Sequence, residues 1–324
     1  MRKTIIALSI IAAVLLLGSC EKEIEFNGEQ TASRLVINCL AKAGEPIHAD
    51  LSKSVFFLDN ENDPTPPDGT TVHLFINGED KGEMTALPGE YGYKDRRFVH
   101  PYQPEPGDVI KITASAEGFE DVEGTSSPMP EYVTCQLSQA EILNYEIEYH
   151  PDWDPIDTIY TVQYETQLLI DITDPHPGAT DLFYLALTPI HNDDEISDSY
   201  YSITATYDDP IYGNVLTETD FLGEQNRVFT DLMFDGKNYQ LKIPVNVYIR
   251  VNQSANPDFF QYEVRLEHIT KEYYNYLKTA DQNDDISGLL VEPTHTFSNV
   301  EGGYGVVCGE SISRMIFPLT LSRK

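Results

Sequence analysis

Apolar and polar residues alternate along most of this chain with a period of two, the spacing of strands that bury one face. The clearest run is Leu241, Ile243, Val245, Val247, Ile249 and Val251, interleaved with Lys242, Pro244, Asn246, Tyr248, Arg250 and Asn252. It predicts one long strand. Pro244 has no N–H to donate, which places it at a sheet edge or a bulge. Tyr262–His268 alternates again, and Asn256-Pro257-Asp258 between the two runs has turn chemistry, so together they predict a hairpin.

The N-terminal half has the same texture. Short strands are predicted at Arg34–Ala41, Ile47–Phe57, Thr71–Ile76, Val109–Ala116 and Phe119–Gly124, separated by Gly, Pro, Asn and Asp clusters. Asn77-Gly78 predicts a tight hairpin, because both residues tolerate positive φ. Ser126–Glu131 reads as a connection, and further strands follow at Thr158–Thr173, Leu182–Pro189, Tyr200–Tyr207 and Arg227–Asp235. Only Ile269–Lys278 has helical spacing, with Tyr273, Tyr276 and Leu277 on one side and Thr270 as N-cap. The pattern predicts a mainly β protein. An immunoglobulin/transthyretin-like β-sandwich spans 34–127, a linker 128–132, and a second β-rich domain carrying one short helix 133–324.

The first residues read differently. Met1-Arg2-Lys3 is basic, and the apolar run Ile5–Leu17 is short of the roughly 20 residues a spanning helix needs, so 1–19 reads as a signal peptide. It ends in Leu17-Gly18-Ser19-Cys20, which has the form of a lipobox and predicts diacylation of Cys20. Membrane lipid is then one expected partner, since several acyl chains give stable attachment. Residues 20–33 form an acidic tether, opening with Glu21-Lys22-Glu23-Ile24-Glu25.

Charge sharpens this picture. With 21 Lys+Arg against 53 Asp+Glu the formal net charge is −32, and no basic stripe exists to displace counterions from phosphate, so nucleic acid is excluded as a partner. The 41% hydrophobic content argues against disorder. Apart from Cys20, the cysteines are Cys39, Cys135 and Cys308, each among apolar or small neighbours; at most one disulfide is possible, and buried thiols are the expectation.

Candidate chemistry is sparse. The chain has no Gly-x-Ser-x-Gly, His-Glu-x-x-His or Gly-x-x-x-x-Gly-Lys-Ser/Thr motif, and its eight histidines show no ligand spacing. Gly302, Gly303, Gly305 and Gly309 predict a close backbone approach rather than a nucleotide loop. Acidic runs, among them Asp152, Asp154 and Asp157, have the oxygen donors Ca²⁺ prefers, but none has the spacing of a calcium loop, and no cofactor is expected. Tyr145, Tyr149, Trp153, Tyr160, Tyr200 and Tyr201 form the expected ligand-binding face, because Tyr and Trp stack on sugars or peptides at low entropic cost.

Several of these segments carry a resemblance. Cys20 with its acidic tail, Arg34–Asn38, Thr71–Glu79, Gly89-Glu90-Tyr91, Phe234–Tyr239, Tyr273–Leu277 and Ser298-Asn299-Val300-Glu301-Gly302-Gly303-Tyr304-Gly305 occur in an order that resembles the Bacteroidetes lipoproteins of domain-of-unknown-function family 4249. Val307-Cys308-Gly309 departs from the family's usual Phe-Gly after that run. The resemblance implies an outer-membrane lipoprotein facing the cell exterior, without established catalytic residues. It also implies a TonB-dependent outer-membrane receptor as partner and a non-enzymatic, accessory part in nutrient uptake. A surface adhesin, and a hydrolase with an acidic site such as Asp152 and Asp154, remain alternatives.

Overall fold

A computed structural model describes residues 32–55, 63–88, 97–150, 159–190, 200–207, 209–212, 227–252, 261–280 and 296–318. Residues from Ser33 onward form one compact unit. The N-terminal half holds β1 (Leu35–Lys42), β2 (Ile47–Lys53), β3 (Thr71–Ile76), β4 (Glu79–Glu83), β5 (Thr85–Ala86), β6 (Arg97–His100), β7 (Ile110–Ser115) and β8 (Val122–Thr125). Long strands follow: β9 (Cys135–His150), β10 (Ile159–Thr173), β11 (Leu182–Ile190), β12 (Tyr200–Ala205), β13 (Val228–Thr230), β14 (Asn238–Asn252) and β15 (Gln261–Ile269). The helix α1 (Lys271–Ala280), β16 (Val300–Glu301) and β17 (Tyr304–Pro318) close the chain. The protein is mainly β, and no helix among the described residues is long and apolar enough to cross a membrane.

Three sheets form. One has eight strands in the order β13-β11-β15-β17-β1-β2-β6-β5, one has four in the order β12-β14-β10-β9, and one has five in the order β16-β8-β7-β3-β4. Two apolar cores result. In the first, Leu35, Ile37, Ile47 and Leu51 from the large sheet meet Val72, Leu74, Ile110 and Ile112 from the five-stranded sheet. In the second, Phe183, Leu185, Val264 and Leu266 meet Leu168, Ile170, Leu241 and Ile243 from the four-stranded sheet. Each fully buried side chain of this size contributes about 1.5–3 kcal/mol, and the period-two alternation supplies one to each layer at every second position.

β17 joins the two cores. Its first half pairs in parallel with β1, from Val36↔Tyr304 to Lys42↔Glu310. Its second half pairs antiparallel with β15, from Ile269↔Glu310 to Gln261↔Pro318. Residues 128–132 cross between the cores with Met129 buried, Met129 N donating to Asp108 O at 2.8 Å and Ser311 Oγ donating to Pro130 O at 2.5 Å.

Two local expectations change. β14 and β15 are not a hairpin: β14 lies between β10 and β12, whereas β15 lies between β11 and β17. Both runs alternate, and alternation marks a buried face without saying which sheet owns it. Thr270 holds the N-cap position, its carbonyl accepting from Tyr274 N at 3.0 Å, but its hydroxyl oxygen accepts from Gly309 N at 3.1 Å instead of capping the helix. Pro244 sits where the β12 ladder has just ended at Ala205↔Val245, with its carbonyl accepting from Thr206 N, so the missing N–H breaks no strand pair.

Candidate functional site

The described residues contain a buried cluster of imidazoles and carboxylates. It is built at the foot of the second core, where β10 ends at Thr173 and the chain turns through Asp174–Asp181 into β11. Asp174 shapes the turn, its Oδ1 accepting from His176 N at 2.8 Å and its Oδ2 from Gly236 N. Gly178 adopts φ 88° and donates its N–H to Asp235 Oδ1 at 2.6 Å, which ties the turn to the Phe234–Tyr239 segment. β15 presents His268, and the 3-10 turn Asp231–Met233 after β13 presents Asp231.

Asp181 stands at the centre. Its Oδ1 is 3.1 Å from His176 Nδ1 and 3.2 Å from His268 Nε2. His268 Nδ1 donates to the carbonyl of Glu131 at 2.8 Å, which sets the tautomer of that ring when it is neutral. The two imidazole centroids lie 5.9 Å apart, and Phe183 packs on His268 at 5.1 Å. Asp174, Asp181 and Asp231 bring carboxylate oxygens within 4.8 Å of one another. Asp231 is fully buried, and neither of its carboxylate oxygens has a hydrogen-bond partner; Asp181 Oδ2 has none either.

The electrostatics follow. Burial opposes ionisation of Asp181, but hydrogen bonds and charge from His268 and then His176 hold its carboxyl below the usual range. Burial likewise opposes the charged form of His176, and Asp181, Glu131 and Asp174 together outweigh it and raise the imidazole. Asp231 moves the other way: burial first, then the charges of Asp181 and Asp174, push its carboxyl up. Two imidazole nitrogens and a carboxylate at this spacing are a donor set for a divalent metal.

A second buried acid pair lies under α1. Glu267 and Glu310 are almost fully buried, with Lys42 Nζ 3.5 Å from Glu310 Oε1 and Arg265 Nε 3.3 Å from Glu267 Oε1. Burial and the Glu310 charge push the Glu267 carboxyl well above the ordinary carboxylate range.

The tyrosines singled out in the sequence fall in one sheet. Tyr145 and Tyr149 are on β9, Tyr160 on β10, and Tyr200 and Tyr201 on β12. Register pairs Tyr149 with Tyr160, Tyr160 with Val251, Tyr201 with Ile249 and Tyr200 with Arg250. Four of these positions therefore gather at one end of the four-stranded sheet, with Tyr145, opposite Tyr164, further along it. Cys20, Trp153, Asp152, Asp154 and Asp157 lie outside the described residues. Cys39 and Cys308 are buried free thiols, and Cys135 is a half-buried one.

His176, Asp181, His268, Asp174 and Asp231 have no motif spacing, and sequence reading missed them. The nearest signals were the turn residues His176-Pro177-Gly178 and the Phe234–Tyr239 segment, both of which border the cluster.

Fold and site together define a multi-sheet β protein with a buried imidazole–carboxylate cluster. The chain belongs to the family described as domain of unknown function (DUF4249), whose model matches residues 21–315. No curated protein matches its sequence. Among solved structures it is similar to apo β-glucuronidase 3 of Bacteroides uniformis, at 13% identity and a TM-score of 0.21 over 72% of this chain and 23% of that one. It is also similar to β-glucuronidase of Parabacteroides merdae, at 13% identity and a TM-score of 0.20 over 74% of this chain and 24% of that one. The chain thus spans about a quarter of the length of those enzymes.

Proposed function

We propose that this chain is a lipid-anchored, non-catalytic binding protein on the outer face of the outer membrane, acting as an accessory subunit of a TonB-dependent uptake receptor. The anchor is Cys20, which follows Leu17-Gly18-Ser19 and precedes an acidic tether. Family resemblance supports the receptor as partner. The observation that supports the binding role is strand register, which places Tyr149, Tyr160 and Tyr201 on one face at one end of the four-stranded sheet, with Tyr200 on the opposite face. Tyrosine offers stacking area at low entropic cost, which suits capture of a sugar or peptide.

The test combines location with partnership. Protease applied to intact cells digests the protein, and purification through the anchored chain recovers a barrel receptor with it. Replacing Tyr149 and Tyr160 with Ala lowers ligand capture while leaving anchoring intact. Recovery of the chain as a soluble periplasmic species, or without any receptor, overturns the proposal. A deletion strain that loses adhesion but not uptake assigns the adhesin role instead.

A further inference from the structure

We propose that His176, His268 and Asp181 form a binding site for one divalent transition-metal ion of the Zn²⁺ class, with Asp231 and Asp174 supplying supporting negative charge.

The spacing carries the first part of the argument. A tetrahedral ion with bonds of about 2.0–2.1 Å sets its ligand atoms about 3.3 Å apart. Asp181 Oδ1 lies 3.1 Å from His176 Nδ1 and 3.2 Å from His268 Nε2, so two of the three donor pairs are at metal-ligand separation, and all three donors, from two parts of the chain, lie within 4.8 Å of one another. His268 is also oriented as a ligand. Its Nδ1–H is held by the Glu131 carbonyl, which leaves the Nε2 lone pair of the neutral ring directed at Asp181. A lone pair facing a carboxylate oxygen is repulsive unless a cation or a proton lies between them.

The second part is the unpartnered charge. Asp231 is 0% exposed with both carboxylate oxygens free of hydrogen bonds, and Asp181, 7% exposed, has a free Oδ2. Among the described residues no Lys or Arg forms an ion pair with Asp174, Asp181 or Asp231. A buried carboxylate without a partner, as Asp231 is, costs free energy, and a dication held by Asp181 would offset its charge and that of its neighbours. Two imidazoles in the donor set favour Zn²⁺ over Ca²⁺ or Mg²⁺, which prefer oxygen alone. The His176 side chain is 37% exposed, which gives an ion access from solvent. Such an ion would fasten the Asp174–Asp181 turn to β15, and Asp231 N, which donates to the Asp181 carbonyl at 3.3 Å, already ties the 3-10 turn to the same residue.

The untagged full chain, purified in detergent and stripped with a chelator, is titrated with Co²⁺ and with Zn²⁺. One equivalent of Co²⁺ is expected to give the visible spectrum of a low-coordinate N/O site, and Zn²⁺ to displace it and raise the Tm, while Ca²⁺ does neither. His176→Ala, partly exposed and tolerant, and Asp181→Asn should each weaken Zn²⁺ binding about tenfold or more, with circular dichroism confirming that the fold is retained. If His268→Ala fails to fold, His176→Ala alone decides the matter. Absence of stoichiometric Co²⁺ binding, or binding unchanged in His176→Ala, overturns the proposal and leaves a proton-shared cluster.

Discussion

Asn299 binds Val307 through both of its backbone groups. Val307 N donates to Asn299 Oδ1 at 2.9 Å and Asn299 Nδ2 donates to Val307 O at 2.8 Å, so a side-chain amide does the work of a neighbouring strand. The same Nδ2 donates to Thr125 O at 2.8 Å, at the end of β8. Asn299→Ala should therefore lower stability by about 2 kcal/mol, since three hydrogen bonds are lost and part-buried backbone groups are left unpaired. Asn299→Asp should cost more, because it places a carboxylate against two carbonyl oxygens. Urea denaturation of the three proteins checks the order, and equal midpoints for Ala and Asp would remove the argument.

Six residues further along the same run, Gly305 is shut in by the backbone. A Cβ at this position would lie 2.0 Å from the carbonyl oxygen of Ile37, and its φ is 107°. Neither obstacle can move, because Ile37↔Gly305 is part of the parallel β1–β17 ladder that joins the two cores. Gly305→Ala should cost about 4 kcal/mol or prevent folding. Gly118→Ala is the control, with φ 83° but nothing within 4 Å of its Cβ, and about 1 kcal/mol is expected there. Similar losses for both would mean that φ alone, and not the close approach, decides the outcome.

These two residues also show what the sequence made legible. The glycine run read as a close backbone approach, and the structure finds it: Cβ atoms at Gly303 and Gly305 would meet the Leu35 and Ile37 carbonyls. Strand alternation was equally readable, because burial of alternate residues is a local property, and Asn77-Gly78 turns with φ 52° and 81° between β3 and β4. Pairing was not readable. β14 and β15 both alternate, yet they belong to different sheets, and nothing within either strand encodes its neighbour. The His176–Asp181–His268 cluster was invisible for the same reason, since its members meet only after β10, β11 and β15 have been placed.

The thiols should be silent in the native protein. Burial pushes Cys39 up to about 12 and Cys135 up to about 11, and it raises Cys308 as well. Cys308 Sγ lies 3.4 Å from the carbonyl oxygen of Cys39, deep beneath the β1–β17 pairing. Nucleophilic attack requires the thiolate, so a disulfide reagent at pH 8 should modify none of the three until denaturant is added. Cys135, half-buried, should react first as denaturant rises. Rapid labelling of Cys39 or Cys308 in the folded chain would contradict their placement.

Stability should fall at both ends of the pH scale through one contact, Tyr102 to Asp108. Asp108 Oδ2 accepts from Tyr102 OH at 2.8 Å and from Glu105 N at 2.9 Å, while Oδ1 accepts from Asn77 Nδ2 at 2.8 Å. Burial raises the Asp108 pKa, but these bonds to the ionised form outweigh it and hold the carboxyl below its ordinary 3.8. A depressed folded-state pKa contributes stability that is present above the unfolded value and lost as pH falls through the folded one. Tyr102 is displaced upward to about 12, by burial first and then by its bond to Asp108. Between pH 10 and about 12 the unfolded phenol therefore ionises while the folded one keeps its proton, and stability drops. Asp108→Asn should lower stability by about 1–2 kcal/mol at pH 7, with the gap to wild type closing below pH 3.8 as the wild-type carboxylate takes up its proton. Tyr102→Phe should lose the Tyr102 contribution to the alkaline decline. Chemical denaturation at pH 3, 7 and 11 measures both effects, and a wild-type-to-Asp108→Asn difference that stayed constant across the acid limb would show that Asp108 does not titrate below its ordinary range.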